Sequence, residues 1–557
     1  MKKKYTFNKV ERPNIPLPPR LAAVDPVCLD ILYSRGIKTP EEMENFLFPS
    51  LTKSLRSHPP LLDTGKAVKI LKDAVKNNLD VVVYHDYDVD GVTAGATAVC
   101  ALTSLGLTVN RYCNDRVTGG FGINAAGVDE IMSRWPNTKV LLTVDNGISG
   151  YEGVARAKEL GLTIIVTDHH LPSGDVLPNA DAIIDHKRAD EPNTQDKNCC
   201  GAGVVWKLML ELYIQMGRDV APVMDLLDLV ALGTIADVVP LVGDNRAIVQ
   251  EGLKRINGHP RPFFQACAEV LERESIDAMT VAFKIAPMIN AVSRMEQDAS
   301  SLIDIFLKTD LEELRGDIIN LDDNNEARKE ETRREVELAQ ELLGDTPTGA
   351  IVFAHDSLKE GIVGIVAGQL KEQHMLPAVV LSRDKDGNWK GSARSPEGFM
   401  LKEALDQCSE YLISYGGHAK AAGLTVRASD LKAFTDKFTA LAVKAAGTEN
   451  FSEPTPIDIV LPSSAYTVEL VQHLSILEPY GEGFPQPLLG LKADVVSTRY
   501  MGQEGQHVKY HDRTGLDIIR WNKGEEAKER LSPPVKFVGY PGLNVFRGET
   551  TVQFIAE

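Results

Sequence analysis

The chain has 557 residues, of which 43% are hydrophobic and 25% are charged, and it carries a formal net charge of −18. This length predicts several domains with separate cores, and the ordinary apolar content excludes a chain that is disordered throughout. No apolar run reaches the ~20 residues of a membrane-spanning helix, and the opening lysines lead into polar residues, so we expect a cytoplasmic protein without membrane attachment. Seven cysteines without a C-x-x-C pair argue against a disulfide scaffold or a thiolate zinc site. The acidic balance, taken alone, disfavours a nucleic-acid partner.

The first sixty residues have the composition of a packed arm. Residues 12–20 are rich in proline, and a short helical pattern follows over residues 27–33. Such a segment is more often a linker or an arm than a site. We therefore assign residues 1–60 to an N-terminal arm.

From residue 80 the sequence alternates short β-branched runs with amphipathic helical stretches. Apolar runs of this length indicate strands that are buried on both faces, and hence a parallel sheet covered by helices. The predicted strands are residues 81–84, 140–144, 163–167 and 182–184. The predicted fold class is therefore α/β, with a first domain over residues 61–310.

A helical pattern dominates the next part of the chain. A highly charged stretch over residues 311–343 carries apolar residues at helical spacing. This pattern predicts a long, solvent-exposed helix that connects two domains, and we assign residues 311–345 to it.

Strand and helix patterns then resume in two further domains. Residues 350–354 and 378–381 are predicted strands of a second α/β domain over residues 346–450. The last segment, residues 451–557, contains alternating apolar and polar patterns. Alternation of this kind predicts a small β-barrel.

Acidic residues and histidines follow three of the predicted strands of the first domain. The segments are D-Y-D-V-D-G at residues 86–91, D-N-G at residues 145–147 and D-H-H at residues 168–170. A fourth cluster, G-T-I-A-D at residues 233–237, ends in the lone acid Asp237 and follows a helical stretch. Because ligands bind at the carboxyl edge of an open α/β sheet, we expect these clusters to form one site.

The first of these segments has the spacing of a cation site. Asp86, Asp88 and Asp90 occupy alternate positions, so an extended backbone would turn their carboxylates to one side. Crowded carboxylates repel one another unless cations neutralise them, and oxygen ligands suit Mg²⁺ or Mn²⁺. An EF-hand loop is excluded, because Thr97 stands where its bidentate glutamate is required. A solvated acidic turn is the alternative for this segment considered alone.

The histidines change the expected metal. The D-H-H segment follows one strand, and Asp145 follows the neighbouring strand. Mixed nitrogen and oxygen donors favour Mn²⁺ or a similar transition ion over Ca²⁺. Four polar clusters at one sheet edge make a metal site the favoured interpretation.

Ten short motifs occur in order along the chain. They are D-Y-D-V-D-G (86–91), D-N-G-I (145–148), T-D-H-H-L-P (167–172), G-A-G-V (201–204), G-T-I-A-D-V-V-P-L (233–241), N-A-V-S-R-M (290–295), G-I-V-G-I (361–365), G-S-A-R-S (391–395), G-G-H-A-K-A-A-G (416–423) and F-R-G (546–548). In order and spacing they resemble the RecJ-type single-stranded-DNA-specific exonucleases of the DHH phosphoesterase superfamily, over nearly the whole chain. The resemblance implies a DHH catalytic domain, a connecting helix, a DHH-associated substrate-binding domain and a C-terminal oligonucleotide-binding (OB) barrel.

The resemblance also implies two divalent ions, Mn²⁺ or Mg²⁺, that activate water for phosphodiester hydrolysis. The implied metal ligands are Asp88, Asp90, Asp145, His169 and Asp237. Asp145 would bridge the ions, with Asp86 and His170 close by as catalytic residues. His170 would contact the scissile phosphate or protonate the leaving oxygen, and Asp168 would orient a histidine.

Contacts to the phosphates of a single strand are implied in the same way. The candidates are Arg116, Asn290, Arg294, Ser392, Arg394, Ser395, Gly416, Gly417 and His418. An arginine fork clamps a phosphate in bidentate fashion, whereas hydroxyl and backbone groups donate further hydrogen bonds. The alternatives are surface salt bridges for the arginines and a plain turn at the paired glycines.

The implied activity is 5′ to 3′ hydrolysis of single-stranded DNA to 5′-mononucleotides, in DNA repair or recombination. A single-strand-binding protein and a helicase are the implied partners of an enzyme that we expect to be monomeric. Five aromatic residues of the barrel are candidate base contacts, of which we expect one or two to touch DNA: Tyr500, Tyr510, Trp521, Phe537 and Phe546. The −18 charge then requires basic residues to concentrate around the substrate contacts.

Two other functions remain open at this point. One is a DHH phosphodiesterase for short oligonucleotides or cyclic dinucleotides, although smaller relatives of that kind generally lack a C-terminal barrel. The other is a non-catalytic strand-binding replication scaffold, which predicts lost metal ligands, whereas all five are present. One departure from the family pattern is Leu358-Lys359, which replaces a Trp-His pair and so keeps a positive charge without planar stacking.

Overall fold

A computed structural model of the chain describes residues 5–7, 12–57, 59–114, 120–174, 176–192, 198–295, 297–344, 347–446, 451, 455–524 and 534–557. The chain divides into two compact units, each built from segments that are distant in sequence. The first unit comprises residues 1–51, 241–247 and 454–557. The second comprises residues 52–240 and 248–453.

The N-terminal segment forms one short strand and four helices. They are β1 (Tyr5–Phe7), α1 (Pro19–Ala22), α2 (Pro26–Ser34), α3 (Pro40–Leu47) and α4 (Leu51–Ser57). Proline opens α1, α2 and α3 because its fixed backbone angle suits the first helical position. Asp25 caps α2 by accepting a hydrogen bond from the amide of Val27, and Thr39 and Glu42 form a capping box in α3. The helix predicted over residues 27–33 is confirmed as α2.

The next segment forms the predicted sheet with helices between its strands. Its elements are α5 (Thr64–Asn77), β2 (Asp80–His85), α6 (Val89–Ser104), β3 (Val109–Tyr112), α7 (Ala125–Arg134), β4 (Thr138–Val144), α8 (Tyr151–Glu159), β5 (Thr163–Thr167) and β6 (Ala182–Ile184). Across the described strands the order is β3-β2-β4-β5-β6, and every neighbouring pair is parallel. β2, β4, β5 and β6 confirm the four predicted strands. The prediction missed β3, because Asn110 and Arg111 interrupt its apolar pattern at the sheet edge.

The strand order creates a crevice at one point of this sheet. From β2 the chain forms β3 on one side and then crosses to β4 on the other side of β2. The loops that follow two such strands diverge, and α/β proteins bind ligands in the gap. These two loops begin at Asp86 and Asp145.

A block of helices follows the sheet. Its elements are α9 (Gly201–Gln215), α10 (Ala221–Met224), α11 (Leu227–Ala236), α12 (Gly243–Gly258), α13 (Pro262–Val270), α14 (Ala278–Thr280), a π-helical turn (Val281–Ile285), α15 (Ala286–Arg294), α16 (Ser301–Leu307) and α17 (Leu311–Leu343). α9 and α11 pack against α6. α17 confirms the predicted long helix; Asp310 caps it by accepting hydrogen bonds from the amides of Glu312 and Glu313, and Leu314 and Ile318 are buried along one face.

The second α/β domain follows α17. Its elements are β7 (Ile351–Ala354), α18 (Val363–His374), β8 (Ala378–Arg383), β9 (Trp389–Arg394), α19 (Leu401–Gln407), β10 (Leu412–Gly417), β11 (Ala421–Val426) and α20 (Leu431–Ala446). The described strands run in the order β10-β11-β9-β8-β7; β7 and β8 are parallel, and the other pairs are antiparallel. Both strands predicted in this domain are confirmed, as β7 and β8.

The C-terminal domain is mainly β-structure. Its elements are β12 (Thr455–Ile457), β13 (Ile459–Pro462), α21 (Val468–Leu474), β14 (Leu489–Ala493), β15 (Val495–Met501), β16 (His507–Asp512), β17 (Asp517–Arg520), β18 (Val535–Phe546) and β19 (Glu549–Ala556). As far as the structure describes it, the main sheet has the order β13-β14-β18-β19-β17-β16-β15. Its apolar face shares one core with the N-terminal helices, since Leu32 and Leu47 are buried in the same cluster as Leu491 and Phe554.

Arg246, near the start of α12, is buried at 1% exposure inside the first unit. Its guanidinium donates hydrogen bonds to four backbone carbonyls, those of Phe46 (2.8 Å), Leu477 (2.8 Å), Glu478 (2.8 Å) and Pro479 (3.0 Å). It also lies 3.8 Å from the ring centroid of Phe46. One side chain therefore joins all three segments of that unit.

Candidate active site

Four segments bring acidic residues and histidines to the carboxyl edge of the first sheet. Asp86, Asp145 and Asp168 directly follow β2, β4 and β5. Asp237 reaches them from the end of α11, where it is the C-cap residue. The predicted convergence of the four clusters is confirmed, because their ligand atoms lie within 4.8 Å of one another in three overlapping sets.

The expected extended backbone through Asp86, Asp88 and Asp90 is wrong. The strand ends at His85, and Asp88 is the N-cap residue of α6, with its Oδ1 3.0 Å from the donating amide of Gly91. Asp90 lies in the first turn of that helix. The start of a helix, rather than strand alternation, brings these carboxylates together, because it turns the chain back within a few residues.

Asp90 is held by the start of α9. It is buried, its Oδ2 accepts a hydrogen bond from the amide of Gly201 at 2.6 Å, and its Oδ1 accepts one from Ala202 at 2.9 Å. Both amides belong to the first helical turn, where backbone N–H groups have no partner within the helix. The helix start therefore fixes the carboxylate and leaves its other lone pairs for a cation.

Asp145 occupies the most constrained position of the cluster. Its φ of 61° lies in the left-handed region, which favours glycine, asparagine and aspartate. The side chain is buried, and among the described residues its Oδ1 has no hydrogen-bond partner. A Cβ built on Gly201 would lie 2.5 Å from the Cβ of Asp145 and 2.6 Å from its Oδ1. Only glycine therefore fits beside this carboxylate.

The imidazole of His169 lies among three carboxylates. Its Nε2 is 3.1 Å from Oδ1 of Asp145 and 3.7 Å from Oδ2 of Asp90, and its Nδ1 is 3.7 Å from Oδ2 of Asp237. None of these approaches makes a hydrogen bond, and within the described ranges neither buried ring nitrogen has another partner. Buried polar atoms left in this way indicate a ligand that the protein itself does not supply.

The donor atoms fit two divalent cations. The three sets of neighbouring ligands are Asp86, Asp88 and Asp145; Asp90, His169 and Asp237; and Asp145, His169 and His170. Asp145 belongs to two of the sets, and its two carboxylate oxygens could be shared between adjacent ions, whereas the neutral imidazole of His169 has one available lone pair and could serve one ion only. Carboxylate oxygens together with imidazole suit Mn²⁺, and the carboxylates alone suit Mg²⁺.

The charges of the cluster explain why it needs cations. Burial and the neighbouring charge of Asp90 raise the pKa of Asp145 well above its usual range. Burial and then the charges of Asp90 and Asp88 raise the pKa of Asp237 to about 8. Burial lowers the pKa of His169 to about 4, so its ring is neutral at neutral pH and able to act as a ligand.

Asp168 and His170 form a hydrogen-bonded pair beside the cluster. Oδ1 of Asp168 is 2.8 Å from Nδ1 of His170, and the carboxylate also accepts hydrogen bonds from three backbone amides. Burial favours the neutral acid, but the bond to His170 and these amides outweigh it and lower the pKa of Asp168 to about 2. Burial is likewise outweighed at His170, where the same bond raises the pKa to about 9. At neutral pH His170 is therefore protonated.

Without metal, the raised pKa of Asp237 is expected to lower the stability of the protein from about pH 4 to about pH 8, and the part of this range above about pH 6.5 is the one to measure, because an ordinary histidine is already neutral there. The pKa of Asp237 is about 8 in the folded state and about 3.9 in an unfolded chain, so the folded state binds more protons and a rising pH favours unfolding. Thermal unfolding in a chelator at several pH values tests this, with Asp237→Asn as the comparison. The variant should show a smaller fall in Tm over this range. An equal fall in both proteins would refute the assignment.

Four of the predicted substrate contacts lie on two elements of the second unit. Asn290 and Arg294 are one turn apart on α15 and share a face of the helix. Ser392 and Arg394 are alternate residues of β9, and Nη1 of Arg394 donates to Oγ of Ser392 at 2.8 Å. Among the residues that the structure describes, no carboxylate forms an ion pair with Arg394, so the salt-bridge alternative does not apply to it.

The paired glycines of the same domain do not form a plain turn, so that alternative is wrong. Gly416 and Gly417 are the last two residues of β10, and they pair with Gly423 and Ala422 of β11. His418 follows them and is exposed. Their backbone therefore lies at the end of a strand pair next to an accessible imidazole.

Two predicted contacts are not placed at the site. Arg116 lies outside the described residues. Ser395 is a correction: it is 4% exposed, and its hydroxyl donates a hydrogen bond to the carbonyl of Phe399 at 2.8 Å. The chain turns inward after β9, so this hydroxyl closes the turn and is not available to a phosphate.

Three of the five candidate aromatic residues of the C-terminal domain are exposed, which is more than the one or two expected to touch DNA. Tyr510 and Phe537 are buried, and their rings pack against each other. Tyr500, Trp521 and Phe546 are exposed. The buried pair cannot stack on bases, whereas the exposed rings are accessible to them.

Sequence reasoning missed three residues beside the cluster. Asp185 and His186 follow β6 at the same sheet edge and are buried, and the ring centroid of His186 is 6.5 Å from that of His169. Phe121 is 55% exposed, with its ring edge-on to His170 at 5.4 Å between centroids. The position of Asp185 and His186 directly after a predicted strand is a signal that could have found them.

Fold and site together define a metal-dependent phosphoesterase with a second α/β domain and a C-terminal β domain. Three family models match the chain: the DHH family, N-terminal domain over residues 80–234, the DHHA1 domain over residues 347–444 and the RecJ OB domain over residues 457–557. The single-stranded-DNA-specific exonuclease RecJ of Escherichia coli K12 is 32% identical over 563 residues, which cover 96% of both chains. The chain belongs to the RecJ family.

Other relatives agree with this assignment. The protein of the same name from Bacillus subtilis is 32% identical, over 96% of this chain and 67% of its own length. The crystal structure of Thermus thermophilus RecJ in complex with Mn²⁺ matches with a TM-score of 0.82 and 29% identity, over 97% of this chain and 78% of that chain. Each helix in the described ranges is too short or too polar to cross a lipid bilayer.

Proposed function

We propose that the protein is a 5′ to 3′ exonuclease that hydrolyses single-stranded DNA to 5′-mononucleotides with two divalent ions, Mn²⁺ or Mg²⁺. The observation that carries the proposal is His169, whose buried ring nitrogens lie within 3.7 Å of three carboxylates without a hydrogen bond to the described protein. Further support comes from the relatives, which are named single-stranded-DNA-specific exonucleases, and from crystal structures of Thermus RecJ in complex with Mn²⁺ and with Mg²⁺.

The site residues take complementary roles in this proposal. The ions are held by Asp88, Asp90, Asp145, His169 and Asp237, with Asp86 beside them. When bound there, the ions would supply Lewis acidity for a water nucleophile and would offset the charge of the phosphate oxygens. His170, kept protonated by Asp168, donates a hydrogen bond to the scissile phosphate or a proton to the leaving oxygen.

The strand is held by residues outside the metal cluster. The contacts in this proposal are Arg116, Asn290, Arg294, Ser392, Arg394, Gly416, Gly417 and His418. Arg394 supports this role because its guanidinium is without a carboxylate partner in the described region and can pair with a phosphate. Tyr500, Trp521 and Phe546 offer exposed rings to the bases.

The proposal places the enzyme in DNA repair or recombination in the cytoplasm. It acts as a monomer, with a single-strand-binding protein and a helicase as partners. The same proposal divides the chain into five parts, with boundaries at residues 60, 310, 345 and 450. It also includes a substrate contact at Leu358-Lys359, where the family has a planar Trp-His pair.

The test is digestion of one oligonucleotide labelled at its 5′ or its 3′ end, as a single strand and as a duplex, with Mn²⁺ and with Mg²⁺. We expect immediate release of a labelled mononucleotide from the 5′-labelled strand, gradual shortening of the 3′-labelled strand, and a resistant duplex. A series of lengths completes the experiment. Rapid cleavage of dinucleotides with intact long strands would identify a phosphodiesterase for short substrates, and no cleavage with either metal would identify a scaffold.

A further inference from the structure

The turn before α18 is tied to α17 by one buried carboxylate. Glu335 is 4% exposed, and its Oε1 accepts a hydrogen bond from the amide of Lys359 at 2.8 Å. The carbonyl of Lys359 accepts hydrogen bonds from the amides of Ile362 at 3.1 Å and Val363 at 3.3 Å. Glu335 therefore holds the first residue of a hydrogen-bonded turn that leads into the helix.

The same turn touches both arginines that are proposed to bind phosphate. A Cβ built on Gly361 would lie 2.2 Å from the carbonyl oxygen of Arg294, and Nη1 of Arg294 donates to the carbonyl of Gly361 at 3.3 Å. A Cβ built on Gly364 would lie 3.1 Å from Nη2 of Arg394. With clearances this small, a displaced turn must displace one arginine or both.

Burying the carboxylate of Glu335 costs folding free energy. Its Oε2 is buried, and within the described ranges it has no hydrogen-bond partner. Around it, Val336 and Leu358 belong to an apolar cluster. An apolar side chain of similar size would be less costly to bury here, so the carboxylate is not explained by stability. Its contribution is to fix the position of the Lys359 amide.

We propose that Glu335 is a positioning residue, which holds the turn at residues 359–364 so that Arg294 and Arg394 keep the separation that bound phosphates require. This inference rests on the proposed function, because only that proposal assigns substrate contacts to the two arginines. The neighbouring pair between Nζ of Lys359 and Oε1 of Glu331, at 3.4 Å, provides the control, since it is a surface ion pair whose loss costs little.

The experiment compares Glu335→Leu, Glu335→Gln and Glu331→Gln with the wild type. For each protein, kcat and KM are measured on a 5′-phosphorylated single strand with Mn²⁺. The Kd of the same strand is measured with Ca²⁺, and Tm is measured by thermal unfolding. We expect Glu335→Leu to raise KM and Kd about tenfold, with kcat within about twofold and a Tm close to that of the wild type, because relief from burying a carboxylate offsets the loss of the acceptor for the Lys359 amide. Glu335→Gln, which keeps an acceptor for the Lys359 amide, should restore most of the affinity, and Glu331→Gln, which removes only an ion-pair partner of the Lys359 ammonium, should bind the strand at least as tightly as the wild type.

A double-mutant cycle with Arg294→Ala shows whether the effect passes through that arginine. In the Arg294→Ala background, Glu335→Leu should weaken the affinity by much less than about tenfold, because the group that it positions is gone. Wild-type affinity in Glu335→Leu, or an equal loss in Glu331→Gln, overturns the inference. If the wild type degrades no single strand, the proposed function fails, and the Kd values still decide on Glu335.

Discussion

The nuclease activity of an Asp145→Asn variant is expected to fall by at least about a thousandfold, with the fold intact. Asparagine has the same size and tolerates the left-handed backbone at this residue, where alanine would add strain of its own. The amide cannot serve as an anionic ligand shared by two cations. Initial rates of mononucleotide release with Mn²⁺ measure the loss.

Thermal unfolding supplies a second readout for the same variant. In a chelator its Tm should exceed that of the wild type, because burial and the charge of Asp90 make the carboxylate of Asp145 unfavourable without metal. The rise in Tm on adding Mn²⁺ should be smaller than in the wild type. Retention of more than roughly a tenth of the activity would refute the bridging role.

Asp63→Asn is the matched control for this substitution. Asp63 has a φ of 62°, nearly that of Asp145, but it pairs with Lys66 and Arg188 instead of belonging to the cluster. The same chemical change at the same backbone conformation should lower stability slightly and leave activity within about twofold. A comparable loss of activity would mean that the effect at Asp145 is not specific to the metal site.

Gly201→Ala is expected to reduce activity by about a hundredfold, although the residue has no side chain. The added methyl group would lie 2.5 Å from the Cβ of Asp145, so either this carboxylate or the start of α9 must move. Movement of α9 also disturbs Asp90, whose Oδ2 accepts a hydrogen bond from the amide of Gly201. The rate with saturating Mn²⁺ and the Mn²⁺ concentration for half activity measure the two effects.

Gly316→Ala is the control for the glycine substitution. Gly316 lies within α17, and a Cβ built there would meet no described atom within 4 Å apart from the adjacent backbone of its own helix. Alanine should therefore stabilise this helix by about 1 kcal/mol and leave activity unchanged. If Gly201→Ala keeps wild-type activity and Mn²⁺ demand, the close packing at the site has no functional role.

The sequence was sufficient to predict four of the five described strands of the first sheet and most of the polar residues that meet at its edge. Continuous apolar runs marked β2, β4, β5 and β6, and the polar residues after them had to meet because parallel strands end at one edge. The charge pattern of α17 similarly defined both ends of that helix. These features depend on residues that are close together in the chain.

What escaped prediction depends on contacts between distant residues or on a local change of backbone. The alternate spacing of Asp86, Asp88 and Asp90 suggested a strand, although Asp88 is a favourable N-cap residue and a helix begins directly after it. The packing of Gly201 against Asp145 requires two segments to be placed in three dimensions. The inward turn that is closed by the hydroxyl of Ser395 likewise could not be predicted from a short motif.

Arg246 makes the C-terminal domain dependent on other segments of the chain. The family model for this domain begins at residue 457, yet four carbonyls at residues 46 and 477–479 depend on a guanidinium from residue 246. A gene fragment that encodes residues 457–557 alone would lose this cation and the N-terminal helices that complete its core. The boundary of the sequence family is thus not the boundary of a folding unit, and we expect residues 457–557 alone to be less stable than the complete first unit.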